Sequence, residues 1–341
     1  LTLMDGEKQL SRVFSPAGTQ VTLPGFGLTE WGTGQEKKGF TGWSKRAGVS
    51  AVDYQADSSL TLDRDTTLYA AWQRIYGWEC RWRASETEAW TYDRLQNADD
   101  KLQNGGEIVM LSNAKAQYGK YIELTGSYTL DLNGHTVSFM NVSGGRKTIC
   151  NGTLSDEASG PYVRAGLLID RSADVTLRDV TLLKVKTTSR MVDVLDESRL
   201  TITGNSYMDT TDDVLRNCIY VGPNAHLTIE YLEMYGFIRF EGEGSAGCAV
   251  EIKDGYFYTS NNESVIIQNK GNSRTGEITG GCFANKTGLT PDGKIWMQPD
   301  NVRQDVIIYH AGEKAGEEAV GASPRYGNLN YSGPWYRIKG Q

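Results

Sequence analysis

The chain has 341 residues, 39% hydrophobic and 23% charged, with a formal net charge of −7. Such a length and composition fit a globular protein of about two domains. The acidic balance argues against a nucleic-acid partner or an anionic membrane surface, which both need a basic face, and no apolar run is long enough for membrane insertion. The chain does not begin with Met and shows no signal-peptide or anchor motif, so it reads as a mature chain or a piece of a longer one. The cysteines, Cys80, Cys150, Cys218, Cys248 and Cys282, are odd in number and lack CxxC spacing. They read as buried free thiols rather than a zinc site or a disulfide framework. Six of the eight tryptophans precede residue 91 and none lies between residues 91 and 295, so a domain boundary is expected between residues 72 and 105.

Residues 1–73 are expected to form a small β domain. "LTLMDG", "TQVTLPG" and "TTLYAAW" alternate apolar and polar residues in the strand sense. Trp43, Tyr69 and Trp72 supply large anchors to a domain with little core to spare. Trp31, beside Gly32 and Gly34 in an expected loop, is the aromatic residue assigned to ligand contact. Two stretches, "GFTGWS" (39–44) and "DTTLYAAW" (65–72), resemble the second half of the Listeria–Bacteroides repeat, or internalin B-repeat, a module with a β-grasp-like fold. The Gly39, Phe40, Gly42, Trp43 phrase is one residue short of the usual spacing, and "GLTEWGTGQEKKG" (27–39) looks longer than the module's usual loop. The resemblance implies a bacterial surface protein in which such modules act as spacers, stalks or weak interaction domains beside others.

Residues 74–106 read as a linker and a capping helix. In "TYDRLQNADDKLQNGG" (91–106), Leu95, Ala98 and Leu102 recur at helical spacing, and Gly105 and Gly106 end the helix.

From residue 107 to 290 one phrase recurs: "VTLRDVTLL" (175–183), "LTIEYLEMY" (227–235) and "VEIKDGYFY" (250–258). Its anchors are Leu132, Ile149, Leu177, Ile202, Ile229, Ile252 and Ile278. Five positions on stand Val137, Leu154, Leu182, Tyr207, Met234, Phe257 and Phe283, all apolar or aromatic. Two positions on stand Gly134, Asn151, Asp179, Gly204, Tyr231, Asp254 and Gly280, almost all types that tolerate a tight or left-handed turn. Tyr231 is the exception and marks a distorted corner. A further apolar strand precedes several anchors by eight positions, at Ile169, Val194 and Val221. Strand–turn–strand units of this period imply a β-solenoid, in which each coil supplies the wall its neighbour lacks. The narrow interior favours Ile, Val, Leu, Thr and Cys, which accounts for the missing tryptophans.

The runs "NGGEIVMLSNA" (104–114), "YIELTGSYTLDLNGHTVSF" (121–139) and "TICNGTLSD" (148–156) resemble the opening of right-handed parallel β-helix proteins of the pectin-lyase-like superfamily. The resemblance covers about residues 90–290. It is specific for the fold and weak for chemistry, because that fold hosts lyases, hydrolases, adhesins and tailspikes. The fold class expected is therefore all-β: a right-handed parallel β-helix behind a small β-grasp-like domain. Residues 291–341 lose the phrase, keep one strand signal in "DVIIYH" (305–310), and read as closing strands and a tail.

Catalytic constellations are thin. "MDTTDDVL" (208–215) offers Asp209, Asp212 and Asp213, which resemble the paired aspartates of polygalacturonases, but the Gly-His-Gly phrase of that family is missing. A calcium-dependent lyase would draw on Asp170 with Arg171, Asp179 with Arg178, and Asp193, Asp196 and Glu197. His135, His226 and His310 have no motif around them. No metal site and no cofactor are expected, with calcium binding left open. The surface is richer. Tyr231, Tyr235, Tyr256 and Tyr258 fall close together, and Tyr256 lies between inward positions and so should point outward. Such tyrosines form a strip suited to sugar rings or a protein partner.

These observations favour a noncatalytic cell-surface or secreted bacterial module, adhesin-like, that binds a polysaccharide or a surface protein and is joined to other modules of a longer chain. The alternatives are a polysaccharide lyase or glycoside hydrolase with its active site on the β-helix flank, and a plain spacer in a surface stalk.

Overall fold

The computed structural model describes residues 1–25, 29–31, 36–75, 79–117, 119–157, 163–185, 190–210, 218–236, 238–241, 248–258, 267–270, 274–284, 308–309, 312–315 and 335–338. The chain divides into two compact units, Leu1–Arg94 and Leu95–Gln341. Among the described residues it is β structure throughout, apart from one helix, Leu95–Lys101.

In the first unit, strands β1 (Thr2–Asp5), β2 (Lys8–Arg12), β4 (Thr29–Trp31), β5 (Glu36–Ser44) and β7 (Thr67–Ile75) form one sheet in the order β2-β1-β7-β5-β4. Between them, β3 (Thr19–Thr22) and β6 (Ser59–Leu62) form an antiparallel ribbon, and β8 (Cys80–Arg83) and β9 (Thr91–Asp93) form a hairpin. The first and last strands of the sheet, β1 and β7, pair in parallel inside it. The core is aromatic: Phe40 meets Trp43 and Trp72 edge to face, with ring centroids 5.3 and 5.6 Å apart. Each indole N–H is satisfied, Trp43 by the Pro24 carbonyl at 2.9 Å and Trp72 by Asp5 at 2.9 Å. Trp43 is fully buried, and Tyr69 and Trp72 are half-buried. Where a loop is expected around Trp31, the chain instead forms a hairpin, with Thr29 opposite Lys38 and Trp31 opposite Glu36.

The second unit contains a right-handed parallel β-helix across residues 107–257. Each turn lays down three strands, so the solenoid has three faces. On the first face Ile108, Leu130, Ile149, Leu177, Ile202, Ile229, Ile252 and Ile278 stack in register, one per turn. On the second, Val137, Leu154, Leu182 and Met208 stack, followed by Met234, Phe257 and Phe283. On the third, Leu124, Val142, Ile169, Val194, Val221 and Phe240 stack. The first-face residues from Ile108 to Ile252 have no exposed surface. Burying each such side chain contributes roughly 1.5–3 kcal/mol relative to exposure. Two long strands, Arg146–Ser155 and Asp174–Lys184, run through the first and second faces. They turn the corner at Asn151 (φ 58°) and Asp179 (φ 56°).

The expected register needs two corrections. In the first repeat Leu130, not Leu132, aligns with Ile149. Leu132 is buried as well, but it belongs to the corner that contains Asn133 and Gly134, both with positive φ. In the fourth, Met208 lies inside and aligns with Leu182, while Tyr207 faces outward. The Gly204–Asn205–Ser206 corner is one residue longer than its neighbours, and a one-residue slip exchanges the two sides of a strand. Cys150 likewise aligns with the outward residues Asp131 and Arg178, yet it is only 2% exposed, and burial pushes its thiol pKa up.

The helix Leu95–Lys101 packs on the first turn, with Leu95 and Ala98 buried. Asp99 fixes it there by accepting hydrogen bonds from the Thr125 and Gly126 amides (2.8–3.0 Å) and from the Tyr128 hydroxyl (2.7 Å). At the other end, Ile308–Tyr309 adds one more parallel strand beside Ile278. Trp335–Ile338 then pairs antiparallel with Gly281–Ala284 and Gly312–Ala315.

Candidate functional site

Residues that flank the interior positions of a strand point outward. On the second face the row beside Val137, Leu154 and Leu182 is Thr136, Thr153 and Thr181, and it continues in register as Tyr207, Glu233, Tyr256 and Cys282. The threonines and the two tyrosines are half-buried, and Glu233 is 6% exposed. Turns of a parallel solenoid lie about 4.8 Å apart. Tyr207 and Tyr256 therefore flank the Glu233 position from the turns on either side. In the next outward row Tyr235 aligns with Tyr258.

Tyr231 occupies the corner before this strand, with φ outside the left-handed region that the other corners use. Its hydroxyl donates to Glu233 Oε1 at 3.0 Å. Its pKa is raised, first by burial and then by the hydrogen bond to Glu233. The result is a surface strip of half-buried aromatic rings around one carboxylate, with hydroxyls continuing from it along the same row. Rings of this kind stack on apolar sugar faces, and the carboxylate accepts hydrogen bonds from hydroxyls.

Of the residues assigned to this strip from sequence, Tyr231, Tyr235 and Tyr256 lie in it, and Tyr258 takes the register position beside Tyr235; the side chain of Tyr258 is outside the described residues. Trp31 belongs to β4 in the first unit, and its side chain is also outside the described residues. Glu233 and Tyr207 escape a reading of the sequence. Glu233 could have been found from its equivalence to Tyr256, four positions after the anchor in each phrase. Tyr207 could not, because the longer corner hides its register.

Asp209 is exposed, in the strand Tyr207–Thr210, while Asp212 and Asp213 lie outside the described residues. Asp179 sits at a corner, accepts the Asn205 amide at 2.8 Å, and forms a loose 3.9 Å pair with Arg178. Asp196 and Glu197 are exposed turn residues with positive φ, and Asp170 leads into the turn at Arg171 and Ser172. Among the described residues, no group of three or more His, Cys, Asp or Glu is placed to hold a metal ion, and no helix is long and apolar enough to cross a membrane. His135 stands in a corner, His226 opens an exposed strand end, and His310 lies outside the described residues.

Asp193 differs from the other acidic candidates. It points outward from the third face but has no exposed surface. Arg164 Nε approaches its Oδ2 at 2.6 Å, and Arg190 Nη1 lies 3.2 Å from both of its oxygens. Burial raises its pKa, against the opposing pull of Arg190 and Arg164. Arg190 stacks over the Tyr220 ring at 3.8 Å, and Tyr121 Oη accepts the Arg164 and Ala165 amides at 3.1 Å. Compared with known protein families, with curated proteins and with solved structures, the chain matches none.

Proposed function

We propose that the chain is a noncatalytic glycan-binding module of a bacterial surface or secreted protein, and that the second face of its β-helix is the contact surface. The observation that carries this reading is the register of Tyr207, Glu233 and Tyr256 on consecutive turns, with Tyr235 beside them. A rigid strip of aromatic faces and a carboxylate is pre-organised for a saccharide, so little ordering cost opposes binding. In the first unit, the parallel β1–β7 pair and the "GFTGWS" and "TTLYAAW" phrases support a surface-module reading of the Listeria–Bacteroides type. The β-helix runs support a pectin-lyase-like one.

Screening on a glycan array, followed by calorimetry on the hits, tests this reading. Tyr235→Ala should weaken binding about tenfold, the order expected for one lost stacking contact, with the thermal transition retained. Two results would sink the proposal: unchanged affinity in both Tyr235→Ala and Tyr256→Ala, or release of unsaturated products or reducing ends at an enzyme-like rate.

A further inference from the structure

The third face carries an arrangement that the glycan strip does not use. Its outward row is Asn141, Leu168, Asp193, Tyr220 and Arg239, one per turn. Asp193 gathers two guanidinium groups, so the triad has a net positive charge in a chain that is acidic overall. Asp193 is unexposed, but the Arg164 side chain is 51% exposed and the Arg190 side chain 22%. Each guanidinium carries five N–H donors and meets Asp193 through one nitrogen. The remaining donors belong to side chains that keep part of their surface in solvent. Tyr220 holds their planes, with ring distances of 3.8 Å to Arg190 and 5.5 Å to Arg164. Stability alone is a weak reason for such a cluster, since apolar side chains of the same volume would serve the fold as well or better.

A second observation points to a ligand. Asn141, 8% exposed, stands two turns away in the same row. Its Nδ2 donates to Glu123 Oε2 at 2.8 Å, which fixes the orientation of the amide. Its Oδ1 is buried and has no hydrogen-bond partner among the described residues. An acceptor buried in this way destabilises the fold unless a donor arrives. Two turns are about 10 Å along the axis. A group that satisfies both points must offer an oxyanion and a hydroxyl at that separation.

We infer that the third face is a second binding site, in which Arg164 and Arg190 take a carboxylate or sulfate of an acidic polysaccharide and Asn141 accepts a hydroxyl from the same chain. Guanidinium forks match both oxyanions, so the two sources share one chemistry. The site lies on a different face from the tyrosine strip and stands independently of it.

Affinity electrophoresis and calorimetry with polygalacturonate and with dextran sulfate, against uncharged dextran, test the site. The wild-type chain is expected to retain at least one polyanion more strongly than dextran. Retention of polygalacturonate alone assigns a carboxylate, and retention of dextran sulfate alone assigns a sulfate. Arg164→Gln should weaken polyanion binding about tenfold or more, as the loss of a charge-assisted contact implies, and Asn141→Leu should weaken it several-fold. Lys115→Gln, at an exposed lysine on another face, should leave it unchanged. The proposal is overturned if neither polyanion binds, if Arg164→Gln and Asn141→Leu both bind as wild type does, or if Lys115→Gln weakens binding as much as Arg164→Gln. Circular dichroism melting confirms that each variant is folded. Failure here with retained loss in Tyr235→Ala leaves the second-face reading standing, and the reverse result separates them equally well.

Discussion

The hydroxyl of Tyr231 donates to Oε1 of Glu233 across 3.0 Å, tying a corner residue to a nearly buried carboxylate on the outer side of the β-helix. Tyr231→Phe keeps the ring and removes the donor. The variant should lose about 1–3 kcal/mol of stability, because a buried acceptor is left with one bond fewer. Urea denaturation measures the difference, and a change below a few tenths of a kcal/mol would show that water replaces the phenol freely.

The stacked ladder makes a sharper prediction about coupling. Leu177 and Ile202 are register neighbours, whereas Leu177 and Ile252 are three turns apart. Each single change to Ala should cost about 2–5 kcal/mol through lost burial and the cavity left behind. Leu177→Ala with Ile202→Ala should be non-additive, since the two cavities merge. Leu177→Ala with Ile252→Ala should add to within about 0.5 kcal/mol. Equal behaviour of the two pairs in denaturant titrations would contradict a nearest-neighbour solenoid.

That ladder was legible because three signals coincide in each repeat: strand alternation, a turn-tolerant residue at the corner, and an apolar residue beyond it. Legibility failed where corner length varies. The two extra residues at Leu132 and the single one at Ser206 shift the phrase without changing its composition, so Leu132 takes the register place of Leu130 in the sequence pattern while still buried, and Tyr207 takes the side that Met208 occupies. The tyrosine strip could be read because Tyr231, Tyr235, Tyr256 and Tyr258 sit in two adjacent phrases. The Arg164–Asp193–Arg190 cluster could not be assembled, although Asp193 itself stood out. Arg164 precedes one strand and Arg190 opens the next, and nothing local marks two residues from adjacent turns as partners of one carboxylate.

Gly42 is the position in the first unit where a side chain is least tolerable. Its φ is +148°, it lies at an irregularity in the β5–β7 register, and an added Cβ would fall 2.5 Å from Val52 Cγ1 and 2.6 Å from the Tyr54 carbonyl. Gly42→Ala therefore combines backbone strain with overpacking beside Trp43, each worth roughly 1–3 kcal/mol. Tryptophan fluorescence during unfolding should report the loss. A wild-type midpoint in Gly42→Ala would mean that the bulge relaxes at little cost.

Lys147 links the first turns to pH. Its side chain is 1% exposed, Nζ donates to the Gly126 carbonyl, and the Tyr128 ring lies 5.3 Å away. Burial lowers its pKa from 10.5 to about 8, against a smaller opposing effect of Asp99. Below pH 8 the amine is charged in both folded and unfolded chains, and its burial cost is constant. Between about pH 8 and 10.5 the folded chain gives up the proton first, so the unfolded state binds more protons and folding stability rises with pH. The gain from this one group is on the order of 3 kcal/mol across that window. Tyrosines and thiols whose pKa values burial raises act in the opposite direction, so the informative quantity is the difference between wild type and Lys147→Met. Urea denaturation at pH 7, 8, 9 and 10 should show wild type gaining on the variant as pH increases. Parallel curves would mean that the amine is solvated in the folded chain.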